Sequence, residues 1–397
     1  MKASSFYTIE ERIFWLLLMA GGAVTAAGLW AAHRMEMLGH VATGMSNQVV
    51  WGLPHVFAIF MIVAASGVLN VASIGSVFGQ SAYKPRAPLS GLLSLAMLAG
   101  GLMVLMLDLG RPERVIVAAT HYNFRSVFAW NVFLYSGMAG IVAVYLFTLF
   151  ERRAYRFSRP AGIAALIWRF VLTTGTGSIF AFLVARQAYQ SPLLAPLFIV
   201  LSFAWGLAVF LLVQASMFAW VGQTLDEAIR ARMARLLGVF VAAALYLVAV
   251  YHGTHLYYAR QGDFEAFLLL GRGDPSGLFA PLFWLGYVAA GAVLPMGLLF
   301  WRPSTRNVIV ASVLVVLGAF AFLFVFIVGG QSFPLEIFPG HVVSSSFADG
   351  AAEAYVPRAY EWLLGLGGLG AAFFITTLGV RALDFLPQDD LPAATKA

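Results

Sequence analysis

Apolar runs of 20 or more residues recur along this chain from end to end, and they leave few folds open. An α-helix rises about 1.5 Å per residue, so roughly 20 apolar residues cross a hydrocarbon core of ~30 Å. Ten such spans are expected, at 12–33, 50–77, 88–109, 124–150, 162–185, 194–222, 236–258, 278–300, 306–330 and 358–383. Backbone groups in lipid find no water, and only a helix satisfies them within one segment, so the spans predict an all-α polytopic membrane protein. The longest intervals, 110–123, 259–277 and 331–357, have room for short surface helices and no soluble domain. Residues 1–397 therefore form a single integral membrane domain. The first span resembles a secretion signal in its small residues, TAAGLWAA. Its apolar stretch is longer than an ordinary signal core, and Glu10 and Glu11 stand where basic residues belong, which favours a retained helix.

Basic residues orient the spans. With ten crossings both termini share one side, and that side collects 16 of the 24 Lys and Arg residues. Cytoplasmic loops are enriched in these residues, so both termini are expected in the cytoplasm of a bacterium, with the protein in its inner membrane. The sequence pI of about 9.6 is then a sign of topology and not a nucleic-acid footprint. All seven histidines (His33, His40, His55, His121, His252, His255 and His341) fall on or near the opposite, outer side. Histidine exchanges protons near neutral pH, although interfacial histidines in wet loops also fit this distribution.

The stretch LDLGRPERVIVAATHYNFRSVFAWN, residues 107–131, is the densest polar interruption in a sequence with only 11% charged residues. Ionisable groups at a membrane boundary are costly and usually functional. The third span ends at Asp108, where Gly110 and Pro112 stop the helix. The fourth carries Asn131 and Tyr135 one turn apart on one face. His55 is expected about five residues into the second span, with Ser66 and Asn70 near its face and Pro54 inviting a kink. His55, Asp108, His121, Asn131 and Tyr135 thus come from three consecutive spans near the outer surface. Arg111, Arg114 or Arg125 could pair with Asp108, either to hold it ionised or merely to pin a loop. Acid, imidazole, phenol and amide at the edge of a hydrocarbon core suit a quinone. Its carbonyls need donors, the quinol needs proton acceptors, and its tail needs lipid. Physics alone leaves other amphipathic ligands open.

The runs DLGRPERV, HYNFRSVFAWNVFLY and NQVVWGLPHVFAIFMIVAASG resemble the NrfD/PsrC family of quinone-interacting membrane subunits, most closely its DsrP branch in the DsrMKJOP complex of sulfur metabolism. The resemblance is sharpest over residues 47–135. It implies two four-helix bundles side by side, with the first and last spans as additions. It also implies exchangeable menaquinone or ubiquinone, and electron exchange with a periplasmic ferredoxin-like iron–sulfur subunit on the outer face. Cytochrome and haem b membrane subunits would complete the complex, and the protein would not be an enzyme alone. By resemblance His55 is the quinone-site histidine, Tyr135 or Tyr122 its tyrosine, and Asp108 with Arg111 the DLGRP-type motif. His55, Asp108 and Tyr135 would act on the protons, with Arg111, His121, Tyr122 and Asn131 completing the quinone pocket.

With no cysteine, this protein cannot ligate an iron–sulfur cluster or attach a c-type haem. His252 and His255 keep a bis-histidine haem b open, with His55 opposing either, but their place at the membrane edge counts against it. Two other classes share these features. A secondary transporter would put its polar site at the midplane, which holds little beyond Ser66, Asn70, Thr173, Ser178 and Gln214. A passive anchor for an electron-transfer subunit would need no quinol chemistry.

Overall fold

The computed structural model describes residues 11–220, 225–335 and 350–383. Among the described residues, ten helices are long and apolar enough to cross a membrane: α1 Glu11–Leu38, α2 Leu53–Ser76, α3 Ala87–Leu107, α4 Val127–Phe150, α5 Ser158–Ala181, α6 Leu194–Trp220, α7 Glu227–Tyr257, α8 Phe279–Trp301, α9 Thr305–Ser332 and α10 Ala359–Ala382. Each corresponds to an expected span. The interval after α3 carries the short helix Val115–Thr120, and the one after α7 carries Gly262–Leu270. His341 lies outside the described residues.

Two boundaries differ from expectation for physical reasons. The second span is not helical from residue 50, because Pro54 stands in the first turn of α2, where a missing N–H costs nothing. His55 is therefore in that first turn rather than five residues deep, and the proline starts the helix instead of kinking it. The seventh span begins at Glu227, well before residue 236. Asp226 caps it by accepting the Ile229 N–H at 3.0 Å, so the helix continues past its apolar part through Arg230, Arg232 and Arg235.

Helices α2–α5 pack together as one four-helix group and α6–α9 as another, joined by the contacts of α2 and α5 with α6. Helix α10 lies against α2 and α3, and α1 lies against α10. Helix α2 is the axis of this assembly: from Leu53 to Ser73 every residue but His55 is buried. Lipid gives little hydrophobic drive to helix pairing, so the seam depends on close packing by small residues. At the crossing of α2 and α6, a Cβ on Gly67 would lie 1.6 Å from the Ser202 carbonyl oxygen, and one on Gly206 2.2 Å from Gly67. Only glycine allows this approach.

Deeper in the first group, Arg169 is almost fully buried. It donates to Asn70 Oδ1 at 2.6 Å and lies over the rings of Phe170 and Phe203. Ser66 meets the Thr173 hydroxyl at 2.7 Å. The polar stripe expected beside His55 thus faces α5 and solvates this cation, which lipid alone could not do.

Candidate functional site

The loops at the histidine-bearing end are knitted by side chains rather than by secondary structure. Gln331, at the end of α9, accepts the N–H of Val50 and Trp51 on one oxygen, at 3.1 and 3.0 Å, and returns Nε2 to the Trp51 carbonyl at 2.9 Å. This holds the approach to α2 extended. Tyr355 donates its hydroxyl to Glu361 Oε1 at 2.5 Å and accepts the Leu53 N–H at 2.6 Å. Glu361 Oε2 takes the backbone N–H of Gly44 and Arg358, at 2.7 and 2.8 Å. A carboxylate buried this completely needs such partners. Burial first, and then the charge of Glu361, push the Tyr355 phenol well above its ordinary range, so it remains a donor.

Inside this frame His55 Nδ1 and Asp108 Oδ2 are 2.7 Å apart. The Asp108 side chain is 1% exposed and that of His55 12%, so the imidazole is the accessible member of the pair. The indole of Trp51 stacks on His55 at 5.8 Å and 22°, and meets Phe128 and Phe180 edge-on. Asp108 follows the last turn of α3. Gly110 then takes a left-handed φ of 69°, and a Cβ there would come within 2.7 Å of His40 Nε2. The DLG turn thus needs its glycine for conformation, while the exposed His40 ring is free to move aside. Asp108 Oδ1 is buried and makes no hydrogen bond among the described residues. With Asp108 accepting from Nδ1–H, His55 keeps Nε2 to exchange a proton.

The other sequence-predicted residues divide into two groups. Asn131 and Tyr135 are buried but face α5: Asn131 lies against Gly175, and Tyr135 bonds Thr176. Thr176 is one helical turn from the Phe180 that touches Trp51, so this polar face lies beside the histidine pair. Arg111, Arg114, Arg125 and His121 are exposed. The partner of Asp108 is His55 rather than the arginines expected to pair with it. Among the described residues the His121 ring bonds its neighbour Thr120, at 3.0 Å, and Tyr122 stacks on Phe133 in a surface aromatic group with Phe124.

A second histidine–carboxylate cluster lies at the same end, in the other helix group. His252 and His255 on α7 place Nδ1 at 2.8 and 2.9 Å from the two oxygens of Glu265, which is wholly buried. From sequence, these histidines suggested at most a haem, and Glu265 drew no notice. Instead both ring nitrogens nearest the short helix engage one carboxylate. Burial works to raise the Glu265 pKa, but the hydrogen bonds and charges of both histidines outweigh it and hold the group below its ordinary 4.5. A depressed carboxylate contributes stability that is present above the unfolded pKa and lost as pH falls through the folded one. Thermal unfolding from about pH 5, below the ordinary range of histidine, to about pH 3 checks this. Over that window the stability gap between wild type and Glu265→Gln should shrink as pH falls through the carboxylate range. A gap that instead grows from about pH 5 to about pH 3 would contradict an ionised Glu265.

A family model described as Polysulphide reductase, NrfD, matches residues 41–335, which include both clusters. The sequence is 29% identical to the Hdr-like menaquinol oxidoreductase integral membrane subunit of Archaeoglobus fulgidus, over 94% of each protein. It is also 29% identical to a putative dimethyl sulfoxide reductase membrane subunit of Halobacterium salinarum, over 96% of this protein and 92% of that one. To a polysulfide reductase chain of Wolinella succinogenes it is 26% identical, over 72% of this protein and 96% of that one.

Proposed function

Because the chain belongs to the polysulphide reductase, NrfD, family, we propose that it is the quinol-reactive membrane subunit of a multi-subunit redox complex, with His55 and Asp108 as its proton-exchanging pair. The observation that carries this reading is the 2.7 Å contact of a partly exposed imidazole with a buried carboxylate, at the one residue between Leu53 and Ser73 that is not buried. The names of its relatives, a menaquinol oxidoreductase subunit and a polysulfide reductase chain, point to the same class.

In the direction of quinol oxidation, His55 Nε2 accepts a proton from a quinol hydroxyl, and Asp108 stabilises the imidazolium that forms. The second hydroxyl proton leaves by the same pair after His55 has released the first. Two protons and two electrons thus leave the quinol, which becomes quinone, and the electrons pass to a carrier on a partner subunit. Reduction runs the same steps backwards. The name of the Archaeoglobus relative, a menaquinol oxidoreductase subunit, supports menaquinone as the substrate here, with ubiquinone the alternative. Trp51 holds the His55 ring in plane, and the exposed faces of Phe128 and Trp130 offer an apolar approach from lipid. Asn131 and Tyr135 supply polar atoms deeper along α4, and Arg111, His121 and Tyr122 belong to the surface where a partner docks. We assign the histidine-bearing end to the outer face, the partner to a periplasmic ferredoxin-like iron–sulfur subunit, and the terminal chemistry to sulfur metabolism in a bacterial inner membrane.

The test is quinol turnover and quinone-analogue binding in the assembled complex, comparing wild type with His55→Ala and Tyr135→Phe. His55→Ala should abolish both signals. Tyr135→Phe should lower turnover about 10-fold or less, because it removes one hydrogen bond worth about 1.5 kcal/mol at most. Turnover unchanged in His55→Ala, with the complex assembled, would reduce the protein to a passive anchor.

A further inference from the structure

Arg169 is a fixed charge in the middle of the first helix group, and the quinol chemistry proposed above does not use it. It stands halfway along the 24 residues of α5, roughly 17 Å from either end, and is 4% exposed. Helices α2–α6 contain no aspartate or glutamate, and none of the ion pairs among the described residues includes Arg169. Its charge is spread onto dipoles and rings instead. One guanidinium nitrogen donates to Asn70 Oδ1 at 2.6 Å and to the Ser66 carbonyl at 3.4 Å, and the group lies 5.0 and 5.4 Å from the ring centres of Phe170 and Phe203. Such partners solvate a cation without cancelling it, and arginine stays protonated in proteins. An ionisable group at this depth is costly and marks a function.

The cation interrupts a line of polar groups that follows the interior of this helix group. On one side of it Ser73 is buried, and Ser76 meets the Tyr145 hydroxyl at 2.6 Å. On the other side Ser66 meets Thr173 at 2.7 Å, Tyr135 bonds Thr176, and Asn131 lies against Gly175 on the approach to the His55 pair. Asn70 Nδ2, Arg169 Nε and Asn131 Oδ1 are buried and make no hydrogen bond among the described residues. Buried polar atoms of this kind ask for ordered water, and water with hydroxyls relays protons. A relay along this line would let protons cross beside the site. A fixed positive charge is one of the ways a polar pore excludes them. At about 5 Å and an effective dielectric of about 20, a second unit charge is disfavoured roughly 100-fold or more.

We propose that Arg169 is an electrostatic barrier to protons, which seals the polar line of the first helix group between its two ends. Protons exchanged at His55 are thereby confined to the histidine-bearing end. That consequence rests on the function proposed above, whereas the barrier itself does not.

The experiment uses the intact complex in sealed liposomes that hold a pH-sensitive dye, with no quinol present. A potassium diffusion potential set with valinomycin drives protons, and the initial rate of the dye response reads the leak. Arg169→Gln should raise that rate over wild type by about 10-fold or more, as loss of the repulsion requires. Asn70→Asp keeps the arginine but sets a carboxylate beside it, cancels the charge, and should leak likewise. Ser66→Ala removes a neighbouring polar contact without touching the charge and should stay as tight as wild type. Should Arg169→Gln not assemble, Asn70→Asp decides alone. Asn70→Asp liposomes as tight as wild type would overturn the barrier, even beside a leaking Arg169→Gln, because that leak would then come from loosened packing. An equal leak in Ser66→Ala would overturn it for the same reason. The quinol reading fails on a different readout, turnover in His55→Ala, so either result can fall without the other.

Discussion

Asp108→Asn is expected to slow quinol turnover in the assembled complex by about 10²- to 10⁴-fold, the usual worth of a positioned acid–base group, while assembly is unaffected. The substitution keeps size and shape but removes the charge that would stabilise an imidazolium 2.7 Å away. The amide can also donate to Nδ1, which would move the ring proton to Nε2 and block the position needed to accept from a quinol. The loss should fall on kcat with KM little changed, because the interaction strengthens only as the proton arrives. Steady-state quinol oxidation with a soluble electron acceptor checks it. A rate within two-fold of wild type would show that Asp108 only positions the loop after α3.

The largest effect on stability is expected at Gly67. A single added Cβ would lie 1.6 Å from the Ser202 carbonyl oxygen, and the obstacle is backbone, not a side chain that can rotate away. Gly67→Ala must therefore separate α2 from α6, at a cost at or beyond the ~3 kcal/mol typical of overpacked cores. Gly140 on α4 and Gly297 on α8 provide the controls, since nothing lies within 4 Å of a Cβ at either. Alanine there should be neutral or slightly stabilising, by up to ~1 kcal/mol through helix propensity. Thermal unfolding in detergent, read by intrinsic tryptophan fluorescence, separates the three variants. A Gly67→Ala protein that melts with the controls would mean the two helix groups do not meet at this crossing.

The ten helices were legible because the need to satisfy backbone groups in lipid prints itself directly as hydropathy. What the sequence hid was mostly what long-range contacts decide. Residues 50–52 are apolar enough to extend the second helix, yet Gln331, about 280 positions away, holds them extended. His55 and Asp108 were legible as rare polar groups at neighbouring helix ends, but nothing local distinguishes His55 from Arg111 as the partner of Asp108. Trp51 was passed over because an indole beside a membrane boundary has an ordinary explanation as an interfacial anchor. Glu265 and Glu361 carried a signal that went unused. Each is an acid that opens or enters a strongly apolar run, DFEAFLLL and EWLLGLGGLG, and such a residue asks for a buried partner.

The two histidine clusters are not independent lodgers in one membrane domain. Over Phe324–Gly329 the wider π-turns of α9 loosen the usual backbone pairing, and the Ile327 carbonyl takes the Tyr189 hydroxyl at 2.8 Å and Gln331 Nε2 at 2.9 Å. Tyr251, whose ring lies against His255, donates to the Ala188 carbonyl, and Gln331 grips Trp51, which covers His55. A chain of hydrogen bonds and ring contacts therefore ties one cluster to the other across the seam between the helix groups. Its members come from both halves of the sequence, so the halves are not interchangeable parts. A chimera that takes α6–α9 from a relative inherits the other protein's grip on Trp51, and with it a different bearing for His55.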